Sequence, residues 1–237
     1  MIHTINLTKK FGREIAVNNL NLDIKRGELF GFLGPNGAGK TTTIKLLAGL
    51  LKPSSGLVFV CGYNVQKDYI SARTRMGYIP DIPYLYERLT GREFLRFVSE
   101  IYFMGHNEAE KRIEELLDFF EMRSYGDILI EEYSHGMRQK IVMCATMLHN
   151  PEVILVDEPM VGLDPKTSRL VKDMFRENAH RGVTIFMSTH TLSLAEEICD
   201  RIAIIDKANL VAIGTIDELK KISGIDGRLE EIFLSIT

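Results

Sequence analysis

Three patterns of apolar and polar positions succeed one another along the chain, and each predicts a different layer. Near the start, Ile2, Ile5 and Leu7 mark a short extended segment, and Leu20, Leu22 and Ile24 alternate with Asn21, Asp23 and Lys25. A period of two predicts half-exposed antiparallel strands. Arg26-Gly27-Glu28 predicts a tight turn into the apolar stretch Leu29, Phe30, Gly31, Phe32, Leu33, and Pro53-Ser54-Ser55-Gly56 a loop before a strand over 57–61. Between 86 and 149 the period becomes helical. Phe94, Phe97, Val98 and Ile101 share one face over 93–103, and Ile113, Leu116, Leu117 and Phe120 share one over 108–122. A third helix is predicted from Ser134 to Asn150, where Pro151 stops it.

The third pattern is continuous. Val153-Ile154-Leu155-Val156 runs into Asp157-Glu158-Pro159, and the apolar run over 183–187 ends in Ser188-Thr189-His190. Strands apolar on every position belong to parallel sheets covered on both faces. Ligands of such sheets bind beyond the carboxyl ends of the strands, where these polar residues fall. The apolar tail over 229–236 is expected to pack down. The expected architecture is α/β and one domain. It has a core (1–82 and 151–237) with an N-terminal antiparallel β subdomain, and an inserted α-helical subdomain (83–150).

Composition narrows the function classes. Hydrophobic residues make 45% and charged residues 26% of 237, with a formal net charge of −3. Ample apolar material is present for a core, and the mild acidity argues against wholesale nucleic-acid binding. Cys61, Cys144 and Cys199 have no C-x-x-C spacing and read as small buried hydrophobes in a reducing compartment. The first residues lack a basic start and an apolar core, and no apolar run reaches about 18 residues. Any membrane role is therefore expected to sit in a separate polypeptide.

The chemistry begins at Gly34-Pro35-Asn36-Gly37-Ala38-Gly39-Lys40-Thr41, a full match to G-x-x-x-x-G-K-[ST], with Thr42 opening a helix-compatible run. Between a strand and a helix this pattern is a phosphate cradle, the mark of a P-loop NTPase. Backbone N–H groups and the helix dipole face the anion. Lys40 is expected to reach the β- and γ-phosphates of a nucleoside triphosphate, and the Thr41 hydroxyl to ligate Mg²⁺. Asp157 ends an apolar strand, as a metal-binding carboxylate should, and Glu158 can orient or deprotonate a water at the γ-phosphate. His190 closes a neighbouring strand; alone it reads as a core histidine, but beside a phosphate loop it can hydrogen-bond the γ-phosphate and Glu158. Ser134, with Gly136, gives a second helix N-terminus able to take a phosphate, or simply an ordinary capped helix.

In the order of these pieces the chain resembles, from end to end, the ATP-binding subunit of an ATP-binding-cassette (ABC) transporter, with a RecA-like core. The resemblance rests on the phosphate loop, the helical insertion, Tyr133-Ser134-His135-Gly136-Met137, the acid-ended strand, the Gly162-Leu163-Asp164 turn and His190. It implies that Phe11 stacks on adenine, although alone Phe11 reads as core. It also implies that Ser134, His135, Gly136 and Met137 act in trans on the nucleotide of a second nucleotide-binding subunit, identical or a close paralogue. The 162–164 turn would carry signals between two sites. The ending over 229–234 resembles cassettes that serve exporters. The implied partner is an integral membrane permease and the implied place the cytoplasmic face of the membrane, with no nucleic acid. Other readings are a soluble ABC ATPase acting on nucleic acid or the ribosome, and a regulatory cassette. Two positions depart from the family. Its signature is typically Leu-Ser-Gly-Gly-Gln, and it usually has glutamine where Asp81 stands; Asp81 can still ligate Mg²⁺ but donates no hydrogen bond.

Overall fold

A computed structural model of the chain describes residues 1–236. Strand β1 (Ile2–Phe11) pairs antiparallel with β2 (Glu14–Ile24) and with β4 (Ser55–Val60), and β5 (Tyr63–Asn64) completes a four-stranded sheet ordered β2-β1-β4-β5. The alternation expected over residues 20–25 is present: Leu20, Leu22 and Ile24 are buried while Asn21 and Asp23 are exposed. The first strand is longer than its apolar pattern suggests. Register shifts between Thr4 and Leu7 and between Leu7 and Lys9 break its period, and Ile5 is left exposed. Bulges of this kind turn side chains to the other face without ending the pairing.

The second sheet has the order β10-β9-β3-β8-β7-β6. Its strands are β3 (Leu29–Leu33), β6 (Met76–Ile79), β7 (Val153–Asp157), β8 (Thr184–Thr189), β9 (Arg201–Asp206) and β10 (Asn209–Gly214). All neighbours pair parallel except β9 with β10. Every residue of β3, β7 and β8 is buried, so the continuous apolar runs do mark strands covered on both faces. Phe186 of β8 fixes the centre, with ring centroids 5.8 Å from Phe30 and 5.3 Å from Phe32. In register, Asp157 lies opposite Ser188, and Leu33 opposite Thr189. The carboxyl ends of three neighbouring strands thus converge at one edge of the molecule.

Nine α-helices are described: α1 (Lys40–Leu47), α2 (Tyr69–Arg73), α3 (Gly91–Ile101), α4 (His106–Phe119), α5 (His135–Met147), α6 (Pro165–His180), α7 (Leu192–Ile198), α8 (Ile216–Ser223) and α9 (Leu229–Ile236). A capping box closes the start of α3: Thr90 Oγ1 accepts from Glu93 N at 3.2 Å, and the Glu93 carboxylate accepts from Thr90 N at 2.8 Å. Helices α3, α4 and α5 pack on one another, and Phe94, Phe120 and Ile141 share one hydrophobic cluster with Ile79, Ile154 and Val156 of the sheet. Helix α5 stops at Met147, three residues short of the expected end. Asn150 takes a left-handed φ of 50° there, and a residue preceding proline is poorly placed in a helix. The tail packs down as expected, through Leu229 and Ile232 of α9. Cys144 is buried, whereas Cys61 and Cys199 are only partly so; Cys61 sits in the β4–β5 turn at φ 52°.

Next to α3, the His149 ring stacks on Tyr102 at 3.7 Å and 9°, its Nε2 lies 3.3 Å from the Met76 carbonyl oxygen, and its buried Nδ1 has no partner. Burial pushes its pKa down from 6.5 to about 4. The unfolded chain therefore binds a proton first, and stability is lost as pH falls from about 6.5 towards 4. His149→Phe is expected to remove roughly 2–3 kcal/mol of that acid loss, read by urea unfolding at pH 7 and pH 4. An acid slope unchanged in the variant would clear His149 of any part in it.

Candidate nucleotide site

The loop between β3 and α1 is shaped by one backbone requirement. Gly39 has φ 110°, and a Cβ there would collide with the Ala16 carbonyl oxygen of β2, so no side chain fits. The loop is held by Ala38 N donating to Pro35 O at 3.2 Å and Ala208 N donating to Ala38 O at 3.1 Å. Lys40, only 7% exposed, donates from Nζ to the carbonyls of Gly34 at 2.7 Å and Pro35 at 3.1 Å. Burial pushes its pKa down, against the opposing pull of Glu158 and Asp157. The ammonium thus lies folded across the loop, close to two carboxylates.

In front of the loop is a cleft of about 580 Å³. It brings together Phe11, Asn36, Gly37, Gly39, Lys40, Thr41, Thr42, Asp81, Glu158 and His190 from five separate stretches of sequence. Gly34, Pro35 and Ala38 build the loop behind it. Phe11 is 49% exposed, so it is a surface ring at the cleft and not part of the core. Glu14, Ala16 and Val161 also line the cleft and were not foreseen. The available signal was weak: Glu14 pairs with Phe11 across a two-residue hairpin, which requires the strand pairing to be known.

The two acids differ in setting. Asp157 is 1% exposed and accepts a hydrogen bond from Ser188 Oγ through Oδ1, while its buried Oδ2 has no partner. A buried carboxylate oxygen left unsatisfied is costly unless a further donor or a cation reaches it. Asp157 does not itself line the cleft but precedes Glu158, which does; with Thr41 and Asp81 of the lining, the donors are hard oxygens, which suit Mg²⁺. Glu158 sits at φ 50°, a strained value for a side chain this size. Its Oε1 accepts from His190 N at 3.0 Å and lies 2.8 Å from His190 Nδ1, and its Oε2 accepts from Thr189 Oγ1 at 3.1 Å. An ionised carboxylate only accepts, so Nδ1 carries the hydrogen and Nε2 faces away from this contact.

Ser134 to Met137 do not line this cleft. Ser134 caps α5, its Oγ accepting from Met137 N at 3.3 Å, and both Ser134 and His135 are exposed. Asp164 caps α6, with Oδ1 accepting from Lys166 N at 2.9 Å and Thr167 N at 3.0 Å; its hydrogen bonds to Thr167 and Lys166 hold its pKa down. Gly162 and Leu163 complete the turn between β7 and α6, and Leu163 N donates to Met160 O at 3.3 Å.

The description of the ABC transporter family matches residues 17–161. Over 219 residues the chain is 36% identical to the linearmycin resistance ATP-binding protein LnrL of Bacillus subtilis, covering 92% of this chain and 70% of that protein. It is 37% identical over 218 residues to the daunorubicin resistance ATP-binding protein DrrA3 of Streptomyces coeruleorubidus, covering 92% and 69%. Among solved structures, one described as the ATP binding subunit of an ABC transporter aligns at a TM-score of 0.95 and 31% identity, over 100% of this chain and 99% of that one. A dimeric post-hydrolysis state of the cassette MJ0796 with ADP and Pi aligns at 0.83 and 27%, over 91% and 99%. Among the described residues no helix is long and apolar enough to cross a membrane.

Proposed function

The chain belongs to the ABC transporter family as an ATP-hydrolysing, ATP-binding subunit, and from that premise we propose that two such subunits close head to tail around ATP to drive a separate export permease. The observation that carries this reading is a divided site. The cleft in front of Lys40 holds base, histidine and phosphate loop, while Ser134, His135, Gly136 and Met137 stay outside it and two of them are exposed. A second copy can bring its own 134–137 turn to the open side of that cleft.

In this reading Phe11 stacks on the adenine, and the N–H groups of residues 36–41 with the start of α1 hold the phosphates. Lys40 exchanges two carbonyls for β- and γ-phosphate oxygens. Glu158 takes the proton of the attacking water, and His190 Nδ1–H keeps its carboxylate aimed; when Nε2 carries a hydrogen as well, it can donate to the γ-phosphate. Thr41, Asp157 and Asp81 would hold Mg²⁺, which when bound offsets charge on the β- and γ-oxygens. Ser134 and Gly136 of the other subunit close over the γ-phosphate. A charge-assisted hydrogen bond contributes about 1.5–3 kcal/mol, so a few of them favour closure and their loss on phosphate release favours opening.

The permease would meet residues 83–150, acting as a helical subdomain against the core of residues 1–82 and 151–237. A second, mostly apolar cavity of about 580 Å³ supports this: Tyr84, Val98, Ile101 and Tyr102 line it beside Leu50 and Arg73. Tyr84 is 88% exposed and lies three residues from Asp81, so a helix docked there would sit beside the nucleotide. The relatives named for linearmycin and daunorubicin resistance support a drug-like or antibiotic-like cargo, and a place on the inner face of the cell membrane. Action on nucleic acid or the ribosome is not favoured.

Complementation tests the shared site. Ser134→Arg and Lys40→Ala should each be inactive alone, yet an equal mixture should regain up to about a quarter of the activity, because half the dimers then carry one intact site. No phosphate release at any mixing ratio would count against the head-to-tail arrangement.

A further inference from the structure

We infer that His135 is a positioning residue that couples the two ATP sites of the dimer by bearing on Gly162. The inference rests on the head-to-tail reading and adds to it a link inside each subunit.

His135 follows the cap of α5, and the Cδ2–Nε2 edge of its ring lies against Gly162 of the β7–α6 turn. A Cβ placed on Gly162 would come within 2.6 Å of His135 Nε2 and closer still to Cδ2, so the imidazole occupies the space where a side chain would be. Gly162 has φ 76°, so the turn bends where only glycine is comfortable and offers the ring a bare backbone. Gly136 runs alongside, with room for no more than a methyl group between it and the Gly162 carbonyl oxygen, since an added Cβ would stand 3.4 Å from that oxygen. The start of α5 therefore bears on the turn through the His135 ring.

The turn leads back to Glu158 through two backbone turns. Val161 N donates to Glu158 O at 3.4 Å and Leu163 N to Met160 O at 3.3 Å, two overlapping turns. At the far end Asp164 is fixed as the cap of α6. A push at Gly162 cannot be absorbed towards α6 and passes towards Glu158, whose backbone is already strained at φ 50°. When the 134–137 turn closes on the partner-held phosphate, the His135 ring transmits that closure to Glu158 of its own subunit. Each site then senses whether the other is filled. With glycine at this position, as in the usual family signature, no ring would bridge the gap.

A role limited to phosphate contact would appear as a raised KM, which a ring without nitrogen could not repair. Coupling has a different signature. On the purified full chain, His135→Gly is expected to lower kcat about 10-fold with KM changed less than about 3-fold, and to turn a sigmoidal ATP dependence hyperbolic. His135→Phe keeps a flat ring at the contact and is expected to restore both. Gly162→Ala should be slow because its methyl group meets the ring, and the double variant with His135→Gly should be faster than Gly162→Ala alone. Overturning results are an unchanged ATP dependence in His135→Gly, a phenylalanine variant no better than the glycine one, or strictly additive effects in the double variant. A Glu158→Gln control that stays monomeric in ATP overturns the underlying head-to-tail reading, and the inference with it; that control is read before any His135 variant.

Discussion

Replacing Glu158 with glutamine is expected to cut ATP turnover at least about 100-fold, the low end of what a positioned general base contributes. The variant should still bind ATP and should collect as a dimer. Glutamine keeps the size of the side chain; its carbonyl oxygen, in the place of Oε1, can still accept from His190 N, and its NH2, in the place of Oε2, can donate to the Thr189 hydroxyl, so the side chain stays aimed. It cannot take a proton from water. The φ of 50° at this residue is unchanged by the exchange, so the strained turn should persist. Gel filtration with and without ATP, alongside a phosphate-release assay, reads both effects. Turnover near that of the unaltered chain would remove Glu158 from the role of base, and a monomer in saturating ATP would remove the clamp.

Lys40→Ala is expected to weaken ATP binding at least about 100-fold and to abolish hydrolysis, since it deletes the one cation of the loop and with it two or more charge-assisted bonds. The change also has a cost without ATP. Lys40 Nζ now satisfies the carbonyls of Gly34 and Pro35, of which Gly34 is buried. Lys40→Met, which fills the buried stem without the ammonium, separates the two effects: it should bind ATP as poorly as alanine while unfolding closer to the unaltered chain. Calorimetric titration with ATP and thermal melts of both variants give the two readouts. Full affinity in either variant would mean that backbone N–H groups alone hold the phosphates.

The contrast between Asp157 and Glu158 shows how much of the site was legible in one dimension. Both follow an apolar run, and sequence alone assigned them different duties by order. In the structure their settings differ: Asp157 is buried with an unsatisfied oxygen, whereas Glu158 is turned by its left-handed backbone towards His190. The phosphate loop was legible because its glycines answer to local backbone geometry. Glu14, Ala16 and Val161 were not, because they reach the cleft only through strand pairing and the path of a turn. The extended character of the first segment was read correctly but its length was not, since bulges at Leu7 and Lys9 erase the period that pattern reading depends on.

By itself the sequence determined the layers, the phosphate loop and the polar strand ends, because periodicity, glycine requirements and helix caps act between residues a few positions apart. Only the tertiary structure decided that Phe11 stands at a cleft and not in the core, that Lys40 rests on its own loop carbonyls, and that His135 lies on Gly162. Those contacts join segments far apart in the chain. Their geometry is set by parallel register and by the packing of α5 against the β7–α6 turn, which no local pattern encodes.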